Sequence, residues 1–283
     1  MAKITSRENP LIKQYIKLKD SRKCRSEENM FVLEGARIIS DAVNEGVRLL
    51  CAFYTPEAED KYPAAVSALK AVLGGEAYEV PPALAQRLSD TKASQGIFAS
   101  AKLLDKTLTP DKIKDGGRFL ILNRLQDPGN VGTIIRSADA VGIAGVFLCG
   151  CCDIYNPKVV RSTMGSMFRL PICQDMEYPD VIAAMDEGGI FTYASVVGGK
   201  ALSLADIRFE GSCAVVIGNE GSGLSPEDAG LCRERITIKM KGNINSLNAA
   251  AAAGIILWEL MKKAHAAAAP RNRHSVLYKS INE

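Results

Sequence analysis

Histidine is almost missing from this chain: there are two in 283 residues, His265 and His274, both near its end. Neither lies near a strand end, so Ser-His or Cys-His nucleophilic chemistry has no base to draw on. Eight cysteines include the run Cys149-Gly-Cys151-Cys152, but no second pair stands at zinc-ligand spacing. No metal site is expected, and the thiols read as buried or strand-end groups. Long apolar runs are missing too. The longest uncharged one is about ten residues around Ala249–Trp258, half of what a bilayer span needs, so no membrane partner is expected. The opening MAKITSRENPLIK has no apolar stretch behind its charges, so no secretory signal is expected. Reduced thiols and a cytoplasmic location follow as expectations.

What remains is an ordinary globular composition, 47% hydrophobic and 24% charged, long enough for about two domains with real cores. The net charge of +3 says little, but its distribution says more. Residues 1–25 carry eight basic groups against Glu8 and Asp20, and residues 261–283 carry five against Glu283, leaving an acidic middle. Basic ends on an acidic body suggest local contacts with a polyanion, or simply solvated ends.

Leu11, Ile12, Tyr15, Ile16 and Leu18 recur near helical spacing among lysines. Strands are then expected at Phe31–Leu33, Leu49–Tyr54 and Ala77–Val80, and helices over Gly35–Glu45, Ala64–Leu73 and Pro82–Leu88. This makes a first unit over residues 1–104. Residues 105–117 (DKTLTPDKIKDGG) are polar, carry Pro110 and end in Gly-Gly, which reads as a linker. Over 118–283 strands and helices alternate: strands at Phe119–Leu122, Gly145–Cys149, Ile190–Val197, Cys213–Ile217 and Ile236–Met240, helices over Val131–Val141, Pro157–Ser166, Tyr178–Glu187 and Ser246–Ala264. That alternation predicts an α/β domain with a mostly parallel sheet.

Ligands of open α/β sheets gather at strand carboxyl ends, and three such ends are unusual here. At the first, Asn123 to Asp139, a strand runs through Asp-Pro-Gly into a helix with Asn130 near its start and Arg136 two turns in. The helix N-terminus suits an anion, and the arginine fork suits phosphate. At the second, Ile217-Gly218-Asn219-Glu220-Gly221-Ser222-Gly223-Leu224, three glycines permit close backbone approach to a ligand. The order matches neither a dinucleotide fingerprint nor a phosphate loop. Glu220, at the end of an apolar strand, needs a partner. At the third, Ile238-Lys239-Met240 leads through a Gly/Asn loop to Asn245-Ser246-Leu247-Asn248, where Asn245 or Ser246 would cap a helix. Read singly, each also fits a plain account: a surface arginine, a turn, a cap.

Together the three segments resemble motifs 1, 2 and 3 of the SpoU (TrmH-type) RNA ribose 2′-O-methyltransferases, in order and spacing: Asn130 and Arg136, then Asn219 to Leu224, then Ser246 to Asn248. Ser6–Pro10 with Phe31–Arg37 resembles the start of that family's N-terminal substrate-binding domain, which is similar to ribosomal protein L30e. The chain departs from the family at Lys239, usually proline, and at Ala249-Ala250, usually Val-Ser; neither change removes a polar group of the motifs.

The resemblance implies a knotted (trefoil) C-terminal α/β domain binding S-adenosylmethionine, plus the smaller N-terminal α/β domain. Ile217, Gly218, Asn219, Ile238, Met240 and Leu247 would hold the cofactor. Asn130, Arg136, Glu220, Ser246 and Asn248 would carry the transfer of a methyl group to a ribose 2′-hydroxyl of RNA, with 23S ribosomal RNA as the first expectation. Arg136 would stabilise the developing alkoxide and grip the adjacent phosphate. Residues 28–104 and the basic N-terminus would supply further RNA contacts. A homodimer is implied, with Leu257, Trp258 and Leu260 as a candidate interface. Two rival readings share this fold: a tRNA 2′-O-methyltransferase and a catalytically silent RNA-binding protein. A third, an NAD-dependent enzyme, lacks its fingerprint.

Overall fold

The computed structural model describes residues 2–104, 113–242 and 244–268, with side chains described as far as 262. The first eight residues of the expected linker lie outside it. The N-terminal unit runs α1 (Pro10–Asp20), α2 (Arg22–Glu28), β1 (Met30–Glu34), α3 (Ala36–Asn44), β2 (Leu49–Tyr54), α4 (Pro56–Lys61), α5 (Pro63–Leu73), β3 (Ala77–Glu79), α6 (Pro82–Leu88) and β4 (Ile97–Lys102). Its sheet has the order β1-β4-β2-β3, with β4 antiparallel to both neighbours. Proline opens α1, α4, α5 and α6 in the first turn, where a missing N–H costs nothing. The helical spacing of Ile12, Tyr15 and Leu18 buries one face of α1, and the Tyr15 ring meets Phe53 and Phe98 edge-on.

The second unit runs β5 (Arg118–Asn123), α7 (Pro128–Ala140), β6 (Gly145–Cys149), α8 (Pro157–Ser162), β7 (Ile172–Met176), α9 (Tyr178–Glu187), β8 (Phe191–Ser195), β9 (Leu202–Ser203), β10 (Cys213–Ile217), α10 (Pro226–Gly230), β11 (Glu234–Thr237) and α11 (Ala249–Ala268). The sheet order is β7-β6-β5-β10-β8-β11-β9, and every pair is parallel. The continuous apolar runs of β5, β6 and β10 follow from burial on both faces. Leu120, Leu122, Val215 and Ile217 join the larger core, which also contains residues of α7, α8 and α11. Phe119, Ile121, Ala214 and Val216 face α9. β10 comes late in the chain but lies between β5 and β8, so the loops after β5, β10 and β11 leave the same end of the sheet.

Several expectations shift. Helix α7 begins at Pro128, three residues early, and the helix expected over Pro157–Ser166 stops at Ser162. β11 ends at Thr237 rather than Met240. α11 begins at Ala249, because the cap is Asn248, whose side chain accepts from the amides of Ala250 and Ala251; neither Asn245 nor Ser246 does this. β7, β9, α2, α4 and α10 were not anticipated. Among the described residues no helix is long and apolar enough to cross a membrane.

The basic N-terminal residues are also less free than their count suggests. Arg25 is buried at 4% exposure. It donates to Asp153 of the second unit at 2.7 and 2.8 Å and to the carbonyl of Leu18 at 2.6 Å. Arg22 pairs with Asp175, Lys3 with Glu79 and Lys13 with Glu8. Lys19 donates to the carbonyls of Arg87 and Ser89. Much of this charge joins elements of the protein to one another rather than standing ready for a polyanion.

Candidate active site

The loop after β5 is built tightly. Arg124 takes the left-handed conformation at φ 60°, and its amide donates to the carbonyl of Cys149 at 2.8 Å. Asp127 caps α7, its carboxylate accepting from the Asn130 amide at 2.8 Å. The helix N-terminus expected to suit an anion therefore already has a carboxylate of its own. Asp-Pro at a helix start is a readable cap signal that the motif reading passed over.

Glu220 projects back over this loop. Its carboxylate accepts from the amides of Asp127 at 2.9 Å and Gln126 at 3.1 Å, and from the Asn130 side-chain nitrogen at 3.3 Å. Burial pushes its pKa up, but the Asp127 and Gln126 amides outweigh that, so the carboxyl sits below its usual range. The partner that a charged residue at a strand end requires is thus a pair of backbone amides. Asn130 passes the contact on: its side-chain oxygen accepts from Asn248 Nδ2 at 3.0 Å. Three residues from three strand ends form one chain, Glu220–Asn130–Asn248.

Asn219 has a different role. Its Oδ1 accepts from the amides of Gly221 and Ser222 at 2.9 and 3.1 Å, and its Nδ2 donates to the carbonyl of Arg124 at 2.8 Å. It folds the glycine loop and ties it to the β5 loop. Gly218 is required for the same reason. A Cβ there would lie 2.5 Å from Gly223 C and Leu224 N, so Gly218 permits a close approach within its own loop.

Beside this chain lies a cleft of about 500 Å³, open to solvent, between the strand ends of β8 and β11 and the start of α11. Ile238, Met240, Leu247 and Ser246 line it together with Val196 and Leu204. Ile217, Gly218 and Asn219 are not among its lining residues. The lining is mostly aliphatic, with Ser195, Thr237 and Ser246 as polar groups, which is the usual make-up of a small-molecule site. Val196 and Leu204 carried no motif, and only the sheet order brings them here. Arg136 stands apart. It is exposed on α7, about 120° around the helix from Asn130. Among the described residues no hydrogen bond or ion pair engages it.

A parallel α/β domain with an apolar cleft and a fixed carboxylate–amide chain at the carboxyl ends of its strands has the layout of a group-transfer enzyme. Known proteins narrow this. Residues 117–258 match the SpoU rRNA Methylase family, and residues 9–99 match the MRM3-like substrate binding domain. The 23S rRNA (uridine(2479)-2′-O)-methyltransferase of Streptomyces viridochromogenes is 32% identical, over 92% of each chain. The 23S rRNA (guanosine(2553)-2′-O)-methyltransferase of Bacillus subtilis is 28% identical, over 92% of this chain and 99% of its own. Among solved structures, the AdoMet-bound rRNA methyltransferase of Sinorhizobium meliloti superposes with a TM-score of 0.79 at 29% identity, covering 92% of this chain and 97% of the other. The chain belongs to the SpoU rRNA methylase family.

Proposed function

We propose that this protein transfers a methyl group from S-adenosylmethionine to a ribose 2′-hydroxyl of 23S ribosomal RNA. The Glu220–Asn130–Asn248 chain beside the aliphatic cleft carries the reading. Ile238, Met240 and Leu247 would enclose the adenosyl group, and Ser246 with the backbone of the Gly218 loop would supply its polar contacts. Bound there, the cofactor supplies an electrophilic sulfonium methyl. The 2′-hydroxyl is a weak nucleophile that must lose its proton. Glu220, its oxygens engaged by amides, is poorly placed to take it, so the proton would pass to the substrate's neighbouring phosphate or to water at the open edge of the cleft. Glu220 instead fixes Asn130, which with Asn248 orients the ribose. The Arg136 guanidinium, unengaged among the described residues, is free to meet the developing alkoxide and the neighbouring phosphate. Arg136→Lys would lose most turnover, because a point charge cannot replace the planar fork; retention of most of it would refute that role.

For the rest of the RNA, the N-terminal unit offers an open groove of about 900 Å³. Hydroxyl and amide side chains including Ser89, Thr91, Ser94 and Gln86 line it, with Lys61 and Lys92 as its cations against one carboxylate, Glu57. Cations and hydrogen-bonding groups suit unpaired nucleotides. This groove lies within residues 28–104, which the sequence reading set beside the basic N-terminus for RNA contacts. The N-terminal domain is L30e-like in this reading, and domain limits of 1–104 and 118–283 follow from it. The insertion of β10 between β5 and β8 supports a knotted C-terminal chain. A homodimer is also part of the reading, but its surface is narrower than the sequence suggests. Leu257 and Leu260 are 1% exposed in their own core, whereas Trp258 and Ile255 are 51% and 41% exposed.

Calorimetric titration with S-adenosylmethionine, beside NAD, tests the cofactor. Mapping 2′-O-methyl sites in RNA from cells lacking the protein tests the substrate. Failure to bind S-adenosylmethionine would overturn the enzyme reading, and a methyl missing from tRNA alone would shift the substrate.

A further inference from the structure

Arg161, on α8, has no part in the site so far, yet it lies between the two halves of the molecule. One face of α8 is locked onto α7. A Cβ on Gly132 would lie 2.4 Å from Ser162 Cβ and 3.0 Å from the carbonyl of Val159, so the helices touch backbone to backbone and neither can slide without the other. Gly132 stands two residues after Asn130 and one turn before Arg136. Whatever moves α8 therefore moves the helix that carries both.

From α8, Arg161 reaches into the N-terminal unit. Its Nη2 donates to Asp90 at 2.6 Å, and its Nη1 lies 3.8 Å from a Glu34 oxygen. Glu34 is itself buried at the end of β1. It accepts from the Ser89 hydroxyl, from the Asp90 amide at 2.8 Å and from the Thr91 hydroxyl at 2.8 Å. This one carboxylate thus shapes the turn 89–91, and Ser89 and Thr91 form a wall of the groove described above. Among the described residues, Arg161 Nη1 is the buried side-chain polar atom left without a hydrogen-bond partner. A contact serving only to glue two domains would be better made of apolar groups. An ionic contact with an unspent donor costs stability, and what it gives in return is a fixed register.

We propose that Arg161 is a positioning residue: it sets the helix bearing Asn130 and Arg136 relative to the turn 89–91 of the groove, so that RNA held there presents its reacting ribose to that helix. The proposal rests on the RNA-methyltransferase reading. It adds a physical path, from groove wall to Glu34 and Asp90, to Arg161, to α8 and across Gly132 to α7.

The test uses Arg161→Gln, the milder Asp90→Asn at an exposed partner, and the double variant, each as full-length protein. Turnover of a 23S rRNA fragment is measured per folded molecule. Arg161→Gln is expected to lower kcat about tenfold, as misplacement of reacting groups does, while the Kd for S-adenosylmethionine stays within about twofold. Asp90→Asn goes the same way, and the double variant is no worse than Arg161→Gln alone. Hydrogen exchange supplies a readout that does not need turnover. RNA binding slows exchange in residues 128–140 of the unmodified protein, and Arg161→Gln abolishes that response. Lowered melting temperatures with unchanged kcat, losses that multiply in the double variant, or no response of 128–140 to bound RNA would each overturn the proposal. Absence of turnover in the unmodified protein would instead count against the activity, leaving the exchange experiment to decide the coupling.

Discussion

Replacing Glu220 by Gln removes one negative charge and keeps the side chain's shape, so its effect can be worked out from the contacts of Glu220. The carboxylate accepts from two backbone amides and from Asn130, with Asn219 Nδ2 a further 3.5 Å contact. An amide keeps one acceptor but turns an NH2 group toward donors. Bonds to a charged acceptor contribute about 1.5–3 kcal/mol each when buried. For a half-buried group whose amides water can reach, we expect a net loss of about 1–2 kcal/mol. In a chain of this size that lowers the melting temperature by roughly 2–8 °C. Turnover should fall further, by about 10- to 100-fold, since Asn130 loses the restraint that orients it. Differential scanning calorimetry and single-turnover methyl transfer to rRNA read the two effects separately. A melting shift with unchanged turnover would reduce Glu220 to a loop clamp. Lost turnover with unchanged melting would make it a direct participant. The pH dependence gives a further check. The folded pKa lies below the ordinary 4.5, so the carboxylate's contribution is complete above that value and is lost as the pH falls through the folded pKa. The Gln variant should lack that acid step.

Gly218→Ala places a methyl 2.5 Å from backbone atoms of Gly223 and Leu224. It should cost about 1–3 kcal/mol and abolish S-adenosylmethionine binding; calorimetry showing normal affinity would refute the assignment of this loop to the cofactor site. Asn248→Asp keeps the cap on α11 but loses the donor to Asn130, so it should melt like the unmodified protein and turn over slowly. Asn248→Ala should lose about 1 kcal/mol as well, and equal melting of the two would count against the capping role. Burial pushes the Cys149 and Cys151 thiols up to about 12 and Cys152 and Cys213 up to about 11. A chromogenic disulfide reagent at pH 8 should therefore label them slowly in the native state, and all eight cysteines fast after unfolding. Rapid native labelling of 149–152, read by peptide mass, would refute the packing.

The strands of the core were readable because periodicity and burial agree: Leu49–Tyr54 and Cys213–Ile217 have the bounds their apolar runs suggest. Short elements such as β9 and α10 were not, since two to five residues set no period. The site was legible in its residue types and only partly in its contacts. Asn130, Glu220 and Asn248 meet, but no sequence pattern could show that Glu220 binds amides of the β5 loop, because that contact spans more than ninety residues and depends on strand order. Ser246, expected to act with the polar chain, lines the cleft beside it. Arg136 was expected to be oriented by its neighbours and is engaged by none of them.

The Cys149–Cys152 run, which motif reading leaves without a purpose, finds one in the same loop. The Cys149 carbonyl accepts from Arg124, the Cys152 amide donates to Leu125, and the Gly150 carbonyl accepts from the Gln126 side chain at 2.8 Å. The Cys151 thiol points to the Leu122 carbonyl at 3.2 Å. Residues 124–127 are thus held on one side by this run and on the other by Glu220 and Asn219. Thiols suit the position as small, weakly donating groups, buried at Cys149 and partly buried at Cys151 and Cys152. A larger side chain would push the run out, and a stronger hydrogen-bonding one would compete with Arg124 and Gln126 for its carbonyls. The consequence is an Asn130 placed by the fold before any ligand arrives. That is what a transfer reaction needs if its polar groups are to act without reorganising as charge develops.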